Sequence, residues 1–122
     1  MKKNVEIALL YEIYGNVLTE KQKQIVNDYY NYDLSLSEIA ENIGITRQAV
    51  RDNLKNAEKN LYDMEDKLEL MKKQINLNNT IEKVIQEVSD LEISLVSNKK
   101  YDTKQRFLNI KSMLNNLKDW KE

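Results

Sequence analysis

The 122 residues contain no cysteine, no histidine and no proline, and only two glycines, Gly15 and Gly44. Without cysteine there is no disulfide and no thiol nucleophile. Without histidine the chain lacks the commonest metal ligand and the side chain that titrates nearest neutrality. Isolated glycines build no phosphate-cradling loop. No apolar run approaches the ~20 residues that span a bilayer, and the N-terminal residues lack the apolar segment of a signal peptide. A cytoplasmic protein away from membranes is expected. Acidic residues are abundant, but they sit where solvated helix faces place them, often beside lysines, and no catalytic pair stands out. The reading is a non-enzyme without cofactor or metal.

An excess of positive charge is also missing, with 19 Lys and Arg against 20 Asp and Glu. Affinity for duplex DNA comes largely from phosphate neutralisation. Within residues 1–46, Lys2, Lys3, Lys21 and Lys23 are outnumbered by Glu6, Glu12, Glu20, Asp28, Asp33, Glu38 and Glu41. DNA remains possible as a partner, but this balance does not favour it.

What the chain does have is helical pattern almost throughout, as the scarcity of breakers allows. Residues 35–54 carry the most specific signal. Ser35 and Glu38 have capping-box spacing, and Leu36, Ile39, Ala40 and Ile43 share one helical face. Gly44 supplies a left-handed stop, Ile45 plugs the turn, and Thr46 caps a second helix. This is a helix-turn-helix, which presents the start of its second helix, here Arg47, Gln48 and Arg51. A plain helical hairpin is the blander alternative.

Upstream, residues 3–17 form one helix, and Thr19 with Gln22 opens another over about 20–32. Its Tyr29, Tyr30 and Tyr32 read as core rings with wet hydroxyls, or as base-stacking aromatics. Downstream of Arg47 the apolar stripe Val50, Leu54, Ala57, Leu61, Met64, Leu68, Met71 and Ile75 steps alternately by four and three. One helix is therefore expected to run on to about Ile75. Arg47, Arg51, Lys55 and Lys59 recur every four residues, either as a ridge tracking a phosphate backbone or as a solvated side offset by Asp52 and Glu58. Asn76, Asn78 and Asn79 then interrupt the pattern and Thr80 can cap a new helix. That helix carries Ile81, Val84, Ile85, Val88, Leu91 and Leu95 on one stripe. A connector at Ser97, Asn98, Lys99 and Lys100 leads to a last helix with Phe107, Ile110, Leu114 and Leu117, and Trp120 near its end. The fold class is all-α: a helix-turn-helix bundle of four helices, the last one long, then a C-terminal helical hairpin. The division expected is 1–60 for the helix-turn-helix domain and 61–122 for the helical extension. Leu61, Met64, Leu68, Met71 and Ile75 lie beyond what the small bundle covers. They are expected to form a homodimer interface, unless the hairpin folds back over them.

The stretches Leu-Thr-Glu-Lys-Gln (18–22), Tyr-Tyr (29–30), Ser-Leu-Ser-Glu-Ile-Ala-Glu (35–41) and Thr-Arg-Gln-Ala-Val-Arg-Asp-Asn-Leu-Lys (46–55) resemble the YlxM proteins of low-GC Gram-positive bacteria and mycoplasmas. The resemblance covers about residues 5–75, and the helix-turn-helix is also similar in fold to the promoter-reading domain of sigma factors. The resemblance implies a non-enzymatic accessory or regulatory protein of the signal recognition particle pathway, with the particle's RNA or its GTPase components as partners. By position Arg47, Gln48, Val50, Asp52 and Asn53 match the most distinctive family stretch, so Asn53 joins Arg47, Gln48, Arg51, Lys55 and Lys59 as a candidate nucleic-acid contact. Arg51 falls on a variable place. A DNA-binding transcriptional regulator and a purely structural adaptor are the competing readings.

Overall fold

The computed structural model describes residues 1–96 and 100–118, with side chains for 1–96 and 103–117. All of its regular structure is helical: α1 Lys3–Tyr14, a 3₁₀ turn at Gly15–Val17, α2 Glu20–Tyr30, α3 Leu36–Ile43, α4 Arg47–Leu68, α5 Leu70–Val96 and α6 Lys100–Lys118. The chain forms two compact units, Met1–Met71 and Lys72–Glu122. Ser97, Asn98, Lys99 and Trp120, read as connector and helix end, lie outside the described residues.

In the first unit the expected caps form. Thr19 Oγ1 accepts from the Gln22 amide while Gln22 Oε1 accepts from the Thr19 amide, both at 3.1 Å. Ser35 and Glu38 make the same reciprocal pair at 3.0 and 3.1 Å. Each box satisfies two amides that a helix start leaves without intrahelical partners. Ile7, Leu10, Ile25, Val26, Ile39, Val50 and Leu61 are the largest fully buried side chains, so α1 to α4 all contribute to one core. The unit runs to Met71 rather than to residue 60, because Leu61 is a fully buried member of this core and Met64 and Met71 pack against it.

Two tyrosines tie α4 to its neighbours. Tyr14 on α1 donates to Glu65 Oε1 at 2.6 Å, and Tyr30 on α2 donates to Glu58. Tyr62 of α4 lies near Glu6 of α1, whose carboxylate helps to raise the tyrosine's pKa. Tyr29 meets Tyr30 edge to face, with ring centroids 5.0 Å apart.

α4 stops at Leu68, seven residues short of the expected end at Ile75. Glu69 adopts the left-handed conformation, φ 55° and ψ 30°, and its amide closes on the Glu65 carbonyl at 2.8 Å. The break is held by one side chain far away in sequence and one close by. The Leu70 amide donates to the Tyr14 hydroxyl at 3.0 Å, and the Met71 amide donates to Glu65 Oε1 at 2.9 Å. Tyr14 and Glu65 thus cap α5, and a carboxylate at a helix start is favoured by the helix dipole.

The asparagines at 76, 78 and 79 do not interrupt a helix: α5 passes through them, and Thr80 Oγ1 donates to the Asn76 carbonyl instead of capping. Asparagine in a helix interior costs well under ~1 kcal/mol, and neither glycine nor proline is present to raise that. In the second unit α5 and α6 run antiparallel, with Arg106 of α6 bridging Glu87 and Asp90 of α5 at 3.7 and 3.2 Å. The face of α5 turned inward is Leu77, Thr80, Val84, Glu87, Leu91 and Ser94, half of it polar. Of the expected stripe only Val84 and Leu91 point in; Ile81, Ile85, Val88 and Leu95 are exposed.

Candidate nucleic-acid interface

The candidate interface is built at the α3–α4 turn. Gly44 takes φ 73° and ψ 36°, and the Gly44 and Ile45 amides both return to the Ala40 carbonyl, at 3.0 and 3.1 Å. Those two bonds close the last turn of α3 on one carbonyl, and the chain turns into α4 within three residues. Thr46 then caps α4 by accepting from the Ala49 amide at 3.0 Å. Val50, Leu54, Ala57 and Leu61 anchor one side of α4 in the core. The exposed ridge starts beside this stripe at Arg47 and turns to the opposite side of α4 by Lys59.

Arg47, Gln48, Arg51, Lys55 and Lys59 are all exposed. A step of four residues turns a helix by about 400°, so the four cations climb α4 while drifting about 40° per turn, over roughly 18 Å. Gln48 Nε2 donates to Asp52 Oδ1 at 2.9 Å, a surface bond that exchanges readily with water. Asp52 therefore stands beside the start of the ridge, as expected. Glu58 does not offset it: that carboxylate is turned inward, accepting from Tyr30 and pairing with Lys3 at 3.4 Å. The ridge is more positive than the sequence suggested.

Asn53 is not part of this surface. It lies about 200° around the helix from Arg51, is half-buried, and its side-chain amide donates to the Ala49 carbonyl at 2.8 Å. The expected partner stripe is also corrected. Leu61 is wholly buried, Met64 and Met71 pack on the core, Ile75 is half-buried, and only Leu68 is exposed. Their period reflected the core of the first unit, because α4 continues to bury side chains for two turns beyond residue 54. Tyr14 and Glu65 together decide where the presented helix ends. Nothing local marks them, since 51 residues separate the pair.

No described helix is long and apolar enough to cross a membrane. Among the described residues no group of three or more carboxylates is placed to hold a metal ion.

Residues 1–102 match a family described as helix-turn-helix protein, YlxM / p13 like. A UPF0122 protein of Clostridium novyi is 39% identical over 114 residues, covering 93% of this chain and 96% of its own. One from Clostridium kluyveri is 41% identical over 91 residues, covering 75% and 82%. Another, from Fusobacterium nucleatum, reaches 55% over 73 residues, covering 58% and 71%. The similarity thus extends well past residue 75, into the hairpin that showed no resemblance on motifs alone. With the turn geometry in place and the match spanning most of its length, the chain belongs to the UPF0122 family of YlxM/p13-like helix-turn-helix proteins.

Proposed function

We propose that this chain is a cytoplasmic, non-enzymatic accessory of the signal recognition particle that grips the particle's RNA through the exposed start of α4. The observation that carries the reading is the ridge of Arg47, Arg51, Lys55 and Lys59, left positive because Glu58 is engaged elsewhere. A ridge of four cations neutralises few phosphates, which suits an RNA held in place by a protein partner better than an autonomous duplex binder. Arg47 and Gln48 stand first, at the open end of the helix, where contact is least obstructed. The particle's GTPase is the natural companion in that arrangement.

Titration against signal recognition particle RNA, generic duplex DNA and the purified GTPase, each across a salt series, tests this. RNA binding with a log–log salt slope of about −3 is expected for four phosphate contacts. The helix-turn-helix itself favours a second reading, a DNA-binding regulator. Duplex DNA bound more tightly than the RNA at every salt concentration would establish that reading instead.

A further inference from the structure

The hairpin of the second unit has an apolar face that its own two helices do not cover. Leu77, Val84 and Leu91 alternate with Thr80, Glu87 and Ser94 along the inward seam of α5, and Arg106, Ile110, Met113 and Leu117 line that of α6. In an antiparallel pair, the positions just C-terminal to each seam lie on one common side. Here they are Ile81, Val88 and Leu95 on α5 with Phe107 and Leu114 on α6. All five are 41% to 61% exposed. Leu95 and Phe107 line a single surface depression, so the two helices do bring this set together. The other side of the seam is polar, with Asn76 and Asn116 lining a depression of their own. A hairpin with an apolar front and a polar back has one surface to hide.

Charge decides what covers it. The edge of the apolar strip on α5 is formed by Asn78, Ile85 and Glu92, so its one charge is acidic. The edge on α6 is basic, with Lys104 and Lys111 bordering the depression at Phe107. A partner with the same apolar strip and the reverse order of charges fits, and a second copy turned over is that partner. Two two-fold arrangements stack one hairpin on another. An axis across the helices sets α5 on α5 and α6 on α6, opposing like charges. An axis parallel to the helices sets α5 of one protomer along α6 of its partner, acid against lysine. We infer that two copies of this chain dock through this face in the second arrangement, making a four-helix bundle with both hairpin turns at the same end. The inference is independent of what α4 reads.

Counting along the antiparallel seam from the Arg106–Asp90 pair places Glu92 opposite the other protomer's Lys104. Sedimentation equilibrium of the full-length chain should give a dimer at tens of micromolar. The variant Lys104→Glu should weaken association several-fold, since the reversal sets like charges against each other across the interface in both symmetry-related pairs. Adding Glu92→Lys should restore it. Both sites are exposed, so circular dichroism should show unchanged helicity. Because the chain has no cysteine, Glu92→Cys/Lys104→Cys reports the geometry directly: air oxidation should yield covalent dimers, which neither single substitution gives. A monomer at all accessible concentrations overturns the inference. So does a charge reversal without effect, which would place association on another surface. Covalent dimers from Glu92→Cys alone would mean that α5 lies on α5.

Discussion

Gly44 shows how much one residue can carry. At φ 73° only glycine is unstrained, and a Cβ added there meets nothing within 4 Å. The whole cost of a side chain is therefore backbone strain, about 1–2 kcal/mol for Gly44→Ala and more for a β-branched residue. Ile39→Ala, which empties a fully buried site, should cost roughly 2–5 kcal/mol. Urea denaturation of the two variants should rank them in that order; a midpoint unmoved by either would remove the helix-turn-helix as a structural unit. The tyrosines allow a pH prediction. Burial, reinforced by the neighbouring carboxylates of Glu65, Glu58 and Glu6 in turn, raises Tyr14, Tyr30 and Tyr62 above 10, with Tyr62 pushed up to about 12. An unfolded tyrosine loses its proton first, so the folded state holds more protons above pH 10 and stability falls as pH rises. Stability should be flat with respect to these groups below pH 10 and drop between 10 and 12, and Tyr62→Phe should shallow that drop. At this scale the sequence was readable wherever one side chain meets its own neighbours. Gly44, Thr46 and both capping boxes act within four residues. Asn53 misled because its family match concealed a bond to the Ala49 carbonyl, one turn back.

The end of α4 belongs to the scale of elements. Periodicity runs through Leu68, Met71 and Ile75 without a glycine or proline, so nothing in the local sequence announces a break. The break forms because Tyr14 and Glu65 satisfy the Leu70 and Met71 amides once α1 is packed against α4. That is tertiary information, and no window along the chain contains it. Two substitutions separate this account from a continuous helix. Glycine within a helix costs about 1 kcal/mol, but at Glu69, already left-handed at φ 55°, glycine relieves strain. Glu69→Gly should therefore leave the melting temperature unchanged or raise it slightly. Tyr14→Phe removes the hydroxyl that serves Leu70 and Glu65 and should cost about 1–2 kcal/mol. Amide exchange should speed selectively at Leu70 and Met71. A melting temperature lowered by Glu69→Gly, with no local change in Tyr14→Phe, would restore the long helix. The same limit explains the hairpin. Heptad spacing indicates two helices here, but not that α5 begins at Leu70 instead of Thr80, and hydrophobicity does not tell the partly polar seam of Thr80, Glu87 and Ser94 from an outer face, so the stripe through Ile81, Ile85 and Val88 does not mark the buried side.

For the whole molecule, the decisive fact is that the core closes before the hairpin begins. Among the described residues, every fully buried large side chain lies between Ile7 and Leu61, and the last contributors to the first unit are Met64 and Met71. The cap of α5 needs only Leu70 and Met71 beyond that. A chain ending at Gln74 should keep the entire first unit, including Arg47, Gln48, Arg51, Lys55 and Lys59. The α-helical signal should fall in proportion to the residues removed, while the cooperative thermal transition of the core persists. If the ridge acts as proposed, the shortened chain should bind RNA with the same salt slope per protomer, because no phosphate contact is lost. Arg47→Ala/Arg51→Ala/Lys55→Ala should lower that slope by about two units in either length. Self-association should vanish with the hairpin, since its apolar face is gone. A shortened chain that remains folded yet still sediments as a dimer would return the interface to the first unit, where Leu68 is the exposed member of the stripe. One that loses its thermal transition would mean the hairpin supports the core, and the two units would then fold as one.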